Sequence, residues 1–592
     1  MNYVTPVGFR DVMSEEALVR EDLTARVRQC FAAQGYTPVE TPTLEMLDVM
    51  EAGGHVPEAP FKFFDSHGDL LAMRPDVTMQ IARMCATRGG GKFEPVRLRY
   101  TQRVFREKTA EAAARELTQC GAECIGASAK DADVELVSLF AKALSVCGLE
   151  RFTIALGSAA VLRDLLGASG GTAQWQDAVR RAYHTSNFVY LDELVAAALA
   201  GPGAPVPPPA PSATPGFNKP TPAPRNAEEA AAAAEAAAER FKLADPAIAN
   251  PGTVDAAVAR AIAALPRLRG GKQALADVRA LLEPVGCVAG LDELEGVYDA
   301  LAADGLADVL LIDFSVMSSF DYYTGLVFEA YAPHLGSPLG GGGRYDNLLA
   351  SYGAAEVPAA GFAFYLEQVM AASSAAKQDD RPLRIAVPKG SLNADAVASL
   401  ANAGLDVDGL ADAGRTLMLR NGDVEYLIVR PTDAPVFVAL GAADCGICGE
   451  DSLLEASPDV VELTDLKFGG CRFVVAESAG TTEAVEERYR KLGSIRVATK
   501  YPRITRSYYG RIGLPVEIVK LHGNIELAPL TGMAERIVDI TATGTTLREN
   551  NLVIVDDVLA STAPFFANPC SFRTNPRVGA LADALARNAK EN

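Results

Sequence analysis

The stretch Glu526–Leu552, ELAPLTGMAERIVDITATGTTLRENNL, decides how the second half of the chain is read. RIVDI is a short buried strand, TATG a tight turn, and TTLREN the opening of a helix. A strand, turn and helix start in that order presents successive backbone N–H groups to an anion, supplemented by the hydroxyls of Thr541, Thr543, Thr545 and Thr546. Gly544 permits close approach or a positive φ. Asp539, at the strand end just before the loop, is a carboxylate suited to accepting hydrogen bonds from vicinal sugar hydroxyls. A phosphate cradle beside an acidic clamp for hydroxyls suits a 5-phosphoribosyl group. Taken alone, the same residues also describe a Thr-rich turn that caps an ordinary helix, and local composition favours that plainer reading.

Working outward, VEYLIVR, CGICG, CRFVVAE, IRVATK, VEIVKL and LVIVDD are further strand-like runs, separated by helical stretches such as TTEAVEERYRKLG. This alternation predicts α/β architecture with largely parallel sheets. The unit begins after residues 373–382, SSAAKQDDRP, a linker of small and charged residues that separates a helix from the new strand LRIAVP. Before the linker the chain reads differently. A first helix has Ser14 as N-cap, Glu15 and Glu16 in its first turn and Gly35 just beyond its end. YTPVETPTLE is strand-like, and mixed apolar runs and helices continue to about residue 150. Residues 201–225 are dense in Pro, which removes backbone donors, and the Ala-rich run to residue 240 has high helix propensity but no patterned face. The segment 201–240 therefore reads as a flexible insertion without chemistry.

The 592 residues carry 55 Lys plus Arg against 75 Asp plus Glu, a formal net charge of −20. Such a field disfavours general binding to nucleic-acid backbones. No stretch has the roughly 20 apolar residues that span a bilayer, and the start of the chain lacks a basic-then-apolar leader, so no membrane role and a cytoplasmic location are expected. The ten Cys are scattered, without the spacing of a secreted disulfide framework. Cys445 and Cys448 have redox spacing but no second Cys pair or His cluster nearby, which reads as a buried structural pair.

Residues 383–592 resemble the short-form catalytic subunit of ATP phosphoribosyltransferase. The resemblance rests on LRIAVPKGSL, VRPTDAPVFVALGAADCGICGED, TDLKFGGCRFVVAE, RVATKYP and the stretch from ELAP to VDITATGTTL, in that order. It implies a bilobal fold like that of periplasmic binding proteins, with a second lobe near 476–554, and transfer of 5-phosphoribosyl from phosphoribosyl pyrophosphate (PRPP) to N1 of ATP with Mg2+ on the phosphates and no fixed protein ligands for the metal. Charge grows on the departing pyrophosphate, so cations matter more than an acid or base, and Lys389, Arg415 and Arg430 are the catalytic candidates the resemblance supplies. It places Asp539, Thr541, Thr543, Gly544, Thr545 and Thr546 at PRPP together with Glu526, whose carboxylate a helix start explains equally well, and Asp451 either in the cleft or as a helix cap, the structural role being favoured. Ser391 and Thr545 depart from the family pattern, where Arg is frequent. The sequence closes on the helical stretch RVGALADALARNAKEN, which leads us to expect none of the C-terminal ligand-binding domain of long-form relatives.

Residues 1–372 resemble the class II, antiparallel-sheet core of histidyl-tRNA synthetase and, more closely, the regulatory subunit of ATP phosphoribosyltransferase. The carriers are GFRDV, LAMRPDVTMQIAR, RVFRE with RELTQCGAE, FDYYTGLVFEAY, GGGRYDNLL and GFAFYLEQV. Asp76 and Glu123 suit an α-ammonium or imidazole N–H, Thr78 and Gln119 offer neutral contacts, and Tyr322 and Tyr323 offer ring surface, so a histidine pocket is implied. Ser318 and Gln368 stand where synthetases carry Arg, and the anticodon-binding domain is replaced by the phosphoribosyltransferase half. Without those cations adenylate formation is poorly stabilised. The combined resemblance implies a histidine-inhibited transferase of mixed α/β and α+β multidomain class, assembled as a homo-oligomer, with a tetramer expected. The competing readings are a working aminoacyl-tRNA synthetase with an appended domain, and a non-enzymatic two-lobed ligand sensor.

Overall fold

The computed structural model describes residues 4–54, 60–88, 95–107, 114–201, 251–316, 322–375, 381–412, 414–542 and 544–591. Most of the 201–240 insertion, Ser318 and Thr543 lie outside them.

The first helix, Ser14–Ala33, buries Leu23, Val27, Cys30 and Phe31 along one stripe. Ser14 is not its N-cap. Met13 holds that position with extended backbone and its carbonyl accepts from Ala17 N–H at 2.9 Å, while the acidic Glu15 and Glu16 sit by the free N–H groups of the first turn. The helix lies on a nine-stranded sheet of spatial order Thr37–Pro38, Val96–Phe105, Glu116–Ile125, Ala359–Tyr365, Gly340–Arg344, Leu326–Tyr331, Thr153–Ser158, Leu310–Asp313 and Arg269–Gly270. Adjacent strands are antiparallel except at Thr37–Pro38 with Val96–Phe105 and at Thr153–Ser158 with Leu310–Asp313. Period-two alternation sorts the side chains of Glu116–Ile125. Cys120, Ala122 and Cys124 join the apolar core under the helices Ser14–Ala33 and Ala129–Val146, where Phe140 meets Phe362 at 4.9 Å and Phe328 at 5.6 Å between ring centres. Gln119 and Glu123 point to the other face, which is lined by polar groups and tyrosines. The antiparallel core expected of the first half is thus present.

The second half has two sheets. The first has the order Met418–Asn421, Val424–Val429, Leu383–Pro388, Cys445–Ile447, Pro564–Ala567 and Val461–Asp465. The second has the order Val516–Lys520, Ile495–Thr499, Arg536–Thr541, Cys471–Ser478 and Leu552–Ser561. Every strand read from the sequence is present, but the sheets are mixed rather than largely parallel. Only the three-strand cores, Val424–Val429 with Leu383–Pro388 and Cys445–Ile447, and Val516–Lys520 with Ile495–Thr499 and Arg536–Thr541, are parallel. The chain crosses between sheets after Asp465 and again after Ser561, and the crossing strands Cys471–Ser478, Leu552–Ser561 and Pro564–Ala567 run against their neighbours.

The two halves share one continuous apolar core, in which Phe314 and Tyr331 from the first meet the cluster holding Val578, Leu581 and Leu585 from the second. Main-chain pairing adds to it, Glu462 N–H donating to Ser186 O at 3.0 Å. Cys445 and Cys448 are buried free thiols whose pKa burial raises. Among the described residues no helix is long and apolar enough to cross a membrane.

Candidate functional site

The strands Leu383–Pro388 and Val424–Val429 are paired in parallel with Pro388 opposite Val429, so Lys389 and Arg430 leave the sheet side by side. Lys389 N–H donates to Val429 O at 2.8 Å. Met418–Asn421 runs back antiparallel, Leu417 O accepting from Ile428 N–H at 2.9 Å, which carries the exposed Arg415 to the same edge. Lys389 and Arg430 thus stand at the carboxyl ends of parallel strands, where open α/β sheets take ligands, and Arg415 precedes the antiparallel strand at that edge.

In the other sheet, Arg536–Thr541 is followed by the turn and by the helix Thr545–Glu549. Asp539 sits two residues inside this strand rather than at its last residue, because the ladder to Cys471–Ser478 continues to Thr541 opposite Arg472. Gly544 has φ +70°, a conformation open to glycine and strained for a side chain, and its N–H donates to Thr541 Oγ1 at 2.8 Å. Arg548 donates to Thr545 Oγ1 at 3.2 Å, which sets a guanidinium beside the loop that the sequence reading left out. Thr546 is exposed in the first turn of the helix, where Asn550 N–H reaches back to its carbonyl at 3.2 Å. Burial pushes the Asp539 carboxyl up to about 6; the N–H of Ile540 opposes this, the nearby charge of Glu526 adds to it, and Lys500 opposes it. Glu526 therefore sits within electrostatic reach of Asp539.

Lys500 and Tyr501 were also overlooked, although they belong to the quoted RVATKYP. They follow the strand Ile495–Thr499, next to Arg536–Thr541. The Tyr501 hydroxyl donates to Asp451 of the other sheet's unit at 3.3 Å, and Lys500 stabilises the charge on both Asp451 and Asp539. The helix Pro502–Arg511 is held across the same boundary: its Arg503 and Ile504 N–H groups donate to Glu455 at 3.0 and 3.2 Å. Asp451 is not the helix cap the sequence favours: Gly449 holds the N-cap position of Glu450–Ala456, and the Asp451 side chain serves instead as a strut between the units.

In the first half, all six pocket residues come together on the second, covered face of the nine-stranded sheet. Asp76 accepts from Thr78 N–H at 2.8 Å, Gln119 accepts from Val77 N–H at 3.2 Å, and the Thr78 hydroxyl donates to Glu123 at 2.7 Å. Tyr322 and Tyr323 lie 4.8 Å apart between ring centres. Two further tyrosines complete the set: Tyr100 donates to Glu123 at 3.2 Å, and the Tyr345 hydroxyl donates to its other oxygen. Glu123 is wholly buried, and a Cβ on Gly361 of the neighbouring strand would stand 1.6 Å from its Oε2, so only glycine leaves room for the carboxylate. Burial pushes Glu123 up to about 8, against hydrogen bonds from Tyr345 and Thr78 and with the charge of Asp76. Asp76 is raised as well, chiefly by burial. A face with two buried carboxyls, Asp76 within electrostatic reach of Arg106 and Glu123 held by neutral donors, and an aromatic wall is chemically complementary to a small cationic or ammonium-bearing ligand.

Two family models match the chain: one described as histidyl-tRNA synthetase, over residues 8–240 and 222–369, and one described as ATP phosphoribosyltransferase, over 430–587. An ATP phosphoribosyltransferase of Moorella thermoacetica is 51% identical over 215 residues, 35% of this chain and 93% of that protein. One of Rubrobacter xylanophilus is 50% identical over 193 residues, 33% of this chain and 89% of that protein. An ATP phosphoribosyltransferase regulatory subunit of Moorella thermoacetica is 35% identical over 370 residues, 62% of this chain and 81% of that protein.

Proposed function

Because the chain belongs to the ATP phosphoribosyltransferase family through its second half and to the histidyl-tRNA synthetase family, in its regulatory-subunit form, through its first, we propose that it opens histidine biosynthesis as a single-chain, histidine-regulated ATP phosphoribosyltransferase. What supports the reading is the Tyr501 hydroxyl on Asp451, which ties the sheet carrying Asp539 and the Gly544 turn to the unit whose parallel strands end at Lys389 and Arg430, with Lys500 acting on both Asp451 and Asp539. We read residues 383–592 as a two-lobed, periplasmic-binding-protein-like unit and residues 1–372 as the regulatory unit, joined through 373–382.

In the reaction, N1 of ATP forms a bond to the anomeric carbon of PRPP as the bond from that carbon to the pyrophosphate oxygen breaks. Thr541, Thr545 and Thr546 hold the 5-phosphate at the turn that Gly544 makes possible, with Thr543 the further hydroxyl the sequence supplies. Asp539, supported by Glu526, accepts from the ribose hydroxyls. Lys389, Arg415 and Arg430 meet the charge that grows on the leaving pyrophosphate. Mg2+ enters with the substrate, bound to its phosphates. Histidine binds through Glu123 and Asp76, between Thr78, Gln119, Tyr322 and Tyr323, and inhibits. Gln368, in the helix Leu366–Ala375, lacks the charge a synthetase needs there. Val4, Val7, Leu18 and Val19 remain exposed on and before the first helix, which supports a homo-oligomer paired through first halves.

The test is formation of phosphoribosyl-ATP from ATP, PRPP and Mg2+, with histidine titrated in. No product would overturn the catalytic reading, product insensitive to histidine would overturn the regulatory one, and histidine-dependent ATP/pyrophosphate exchange would favour the synthetase.

A further inference from the structure

Where the second half enters the first, one buried cation belongs to neither core alone. Asn568 sets the geometry: its Oδ1 accepts from Cys570 and Ser571 N–H at 2.9 and 3.0 Å, starting the helix Pro569–Thr574. Its Nδ2 donates to Gly336 O of the first half at 3.1 Å and to Val438 O of the second at 3.0 Å. From this helix Arg573 reaches into the first half. Its Nε donates to Asp313 at 3.1 Å and its Nη2 to the Ser315 hydroxyl at 2.9 Å, while its guanidinium lies 4.7 Å from the centre of the Tyr331 ring. The Arg573 and Asp313 side chains are 3% and 0% exposed, so the pair is sealed from water. Arg269 of the first half closes the arrangement from the other side, donating to Phe572 O at 2.7 Å and stacking 3.6 Å above its ring. Further charges that face the joint are Glu329, which accepts from the Tyr331 hydroxyl, and Asp459 and Asp583 of the second half.

Each side of this joint runs directly into a functional site. Tyr331 ends the strand Leu326–Tyr331, whose approach is Tyr322 and Tyr323. That approach is tied down where Thr324 N–H donates to Arg344 O at 2.7 Å, next to Tyr345 on Glu123. On the other side, Pro569–Thr574 follows the strand Pro564–Ala567, which starts at the crossing between the two catalytic sheets. There Thr562 O accepts from Glu450 N–H at 2.9 Å, one residue from Asp451, and its hydroxyl donates to Asp465 at 2.8 Å. One strand therefore leads from the pocket to Arg573, and one from Arg573 to the lobe crossing.

We propose that Arg573 is the positioning residue through which occupancy of the Glu123 pocket biases the arrangement of the two catalytic lobes, its bonds to Asp313 and Ser315 being made in one global state and lost or exchanged in the other. This rests on the reading that histidine binds the first half. A buried guanidinium with fixed partners switches between discrete arrangements and does not follow a strand continuously, which is the property a two-state coupling needs.

The experiment measures the histidine Kd of the full chain by calorimetry, with and without saturating PRPP, and takes the ratio as the coupling factor. Arg573→Met is expected to keep the histidine Kd without PRPP within about threefold of the parent while the coupling factor falls to about 1, and Arg573→Lys to recover part of it. Ser315→Ala, which removes one hydrogen bond and leaves the ion pair, serves if the Met variant does not fold, and is expected to lower the factor by about twofold or more. An unchanged coupling factor in the folded variant overturns the proposal. Absence of histidine binding in the parent chain overturns instead the sensor reading on which it stands.

Discussion

Histidine binding should release a proton, and the amount follows from Glu123. This carboxyl is held up to about 8 by burial and by the neighbouring Asp76, although Tyr345, Thr78 and Tyr100 all donate to it. With that value roughly 0.9 of the molecules carry the proton at pH 7, and about half at pH 8. An α-ammonium or imidazole N–H arriving beside the carboxyl favours its charged form, so the proton leaves as the ligand enters. Binding is then linked to ionisation with a definite sign: affinity rises with pH up to about 8 and levels off above it. Between pH 7 and pH 8 the ionised fraction grows about fivefold, worth about 1 kcal/mol of apparent affinity, and free histidine changes little there because its imidazole is already neutral and its amine still charged. Calorimetry at pH 7 in phosphate and in Tris measures the release directly, since the apparent enthalpy differs by the buffers' ionisation heats multiplied by the protons exchanged. Glu123→Gln keeps the shape and removes this titration, so the buffer dependence should fall to what Asp76, also raised by burial, contributes. Heats independent of buffer in the parent chain, or a Gln variant that releases as many protons as the parent, would refute the assignment of Glu123 as the ligand's counter-charge.

Asp539→Asn should lower kcat/KM for PRPP on the order of 100-fold or more, since two charge-assisted hydrogen bonds go, while histidine binding is untouched. With Asp539 held up to about 6, the parent's kcat/KM for PRPP should fall about tenfold per unit below that pH, where the carboxylate takes up a proton, and stay level above it; a limb centred near 4 would contradict the assignment. Gly544→Ala places a Cβ on a backbone with φ +70°, a cost of about 1–2 kcal/mol, which should raise the KM for PRPP about 5- to 30-fold with the melting temperature little changed. Glu455→Ala removes the acceptor for Arg503 and Ile504 N–H, and thermal unfolding should report a loss of about 1–2 kcal/mol from the catalytic half without any change in histidine affinity.

The parts of the site legible in the sequence are those whose partners lie close along the chain. Asp539, Gly544 and the threonines fall within eight residues, and strand, turn and helix start follow from local composition alone. Glu123 was legible as a pocket residue through the family resemblance, but its donors Tyr100 and Tyr345 are separated from it by 23 and 222 residues, so no spacing rule points to them. Lys500 and Tyr501 lay inside a quoted motif yet carried no signal of their own, because their significance depends on which strand edges the fold brings together. Strand existence was readable and strand direction was not: nothing in CRFVVAE or LVIVDD tells that these runs cross between sheets against their neighbours. Ser14 shows the opposite failure, a favourable cap type passed over where acidic side chains already serve the first turn.

The joint at Arg573 joins residues 260 apart and is invisible to any local reading, yet it bears on why fusion matters. A fully buried Arg–Asp pair between two separately diffusing chains must be desolvated at every association, a cost its Coulomb attraction barely offsets. Between Ala375 and Leu383 the two halves are instead joined by a short covalent segment, which keeps each at an effective concentration in the mM range for the other. The joint is then relieved of holding the halves together. Its contacts need only differ between two arrangements of parts that never separate, so a modest difference in free energy at Asp313 and Ser315 suffices for regulation, where the same difference between free subunits would be spent on assembly.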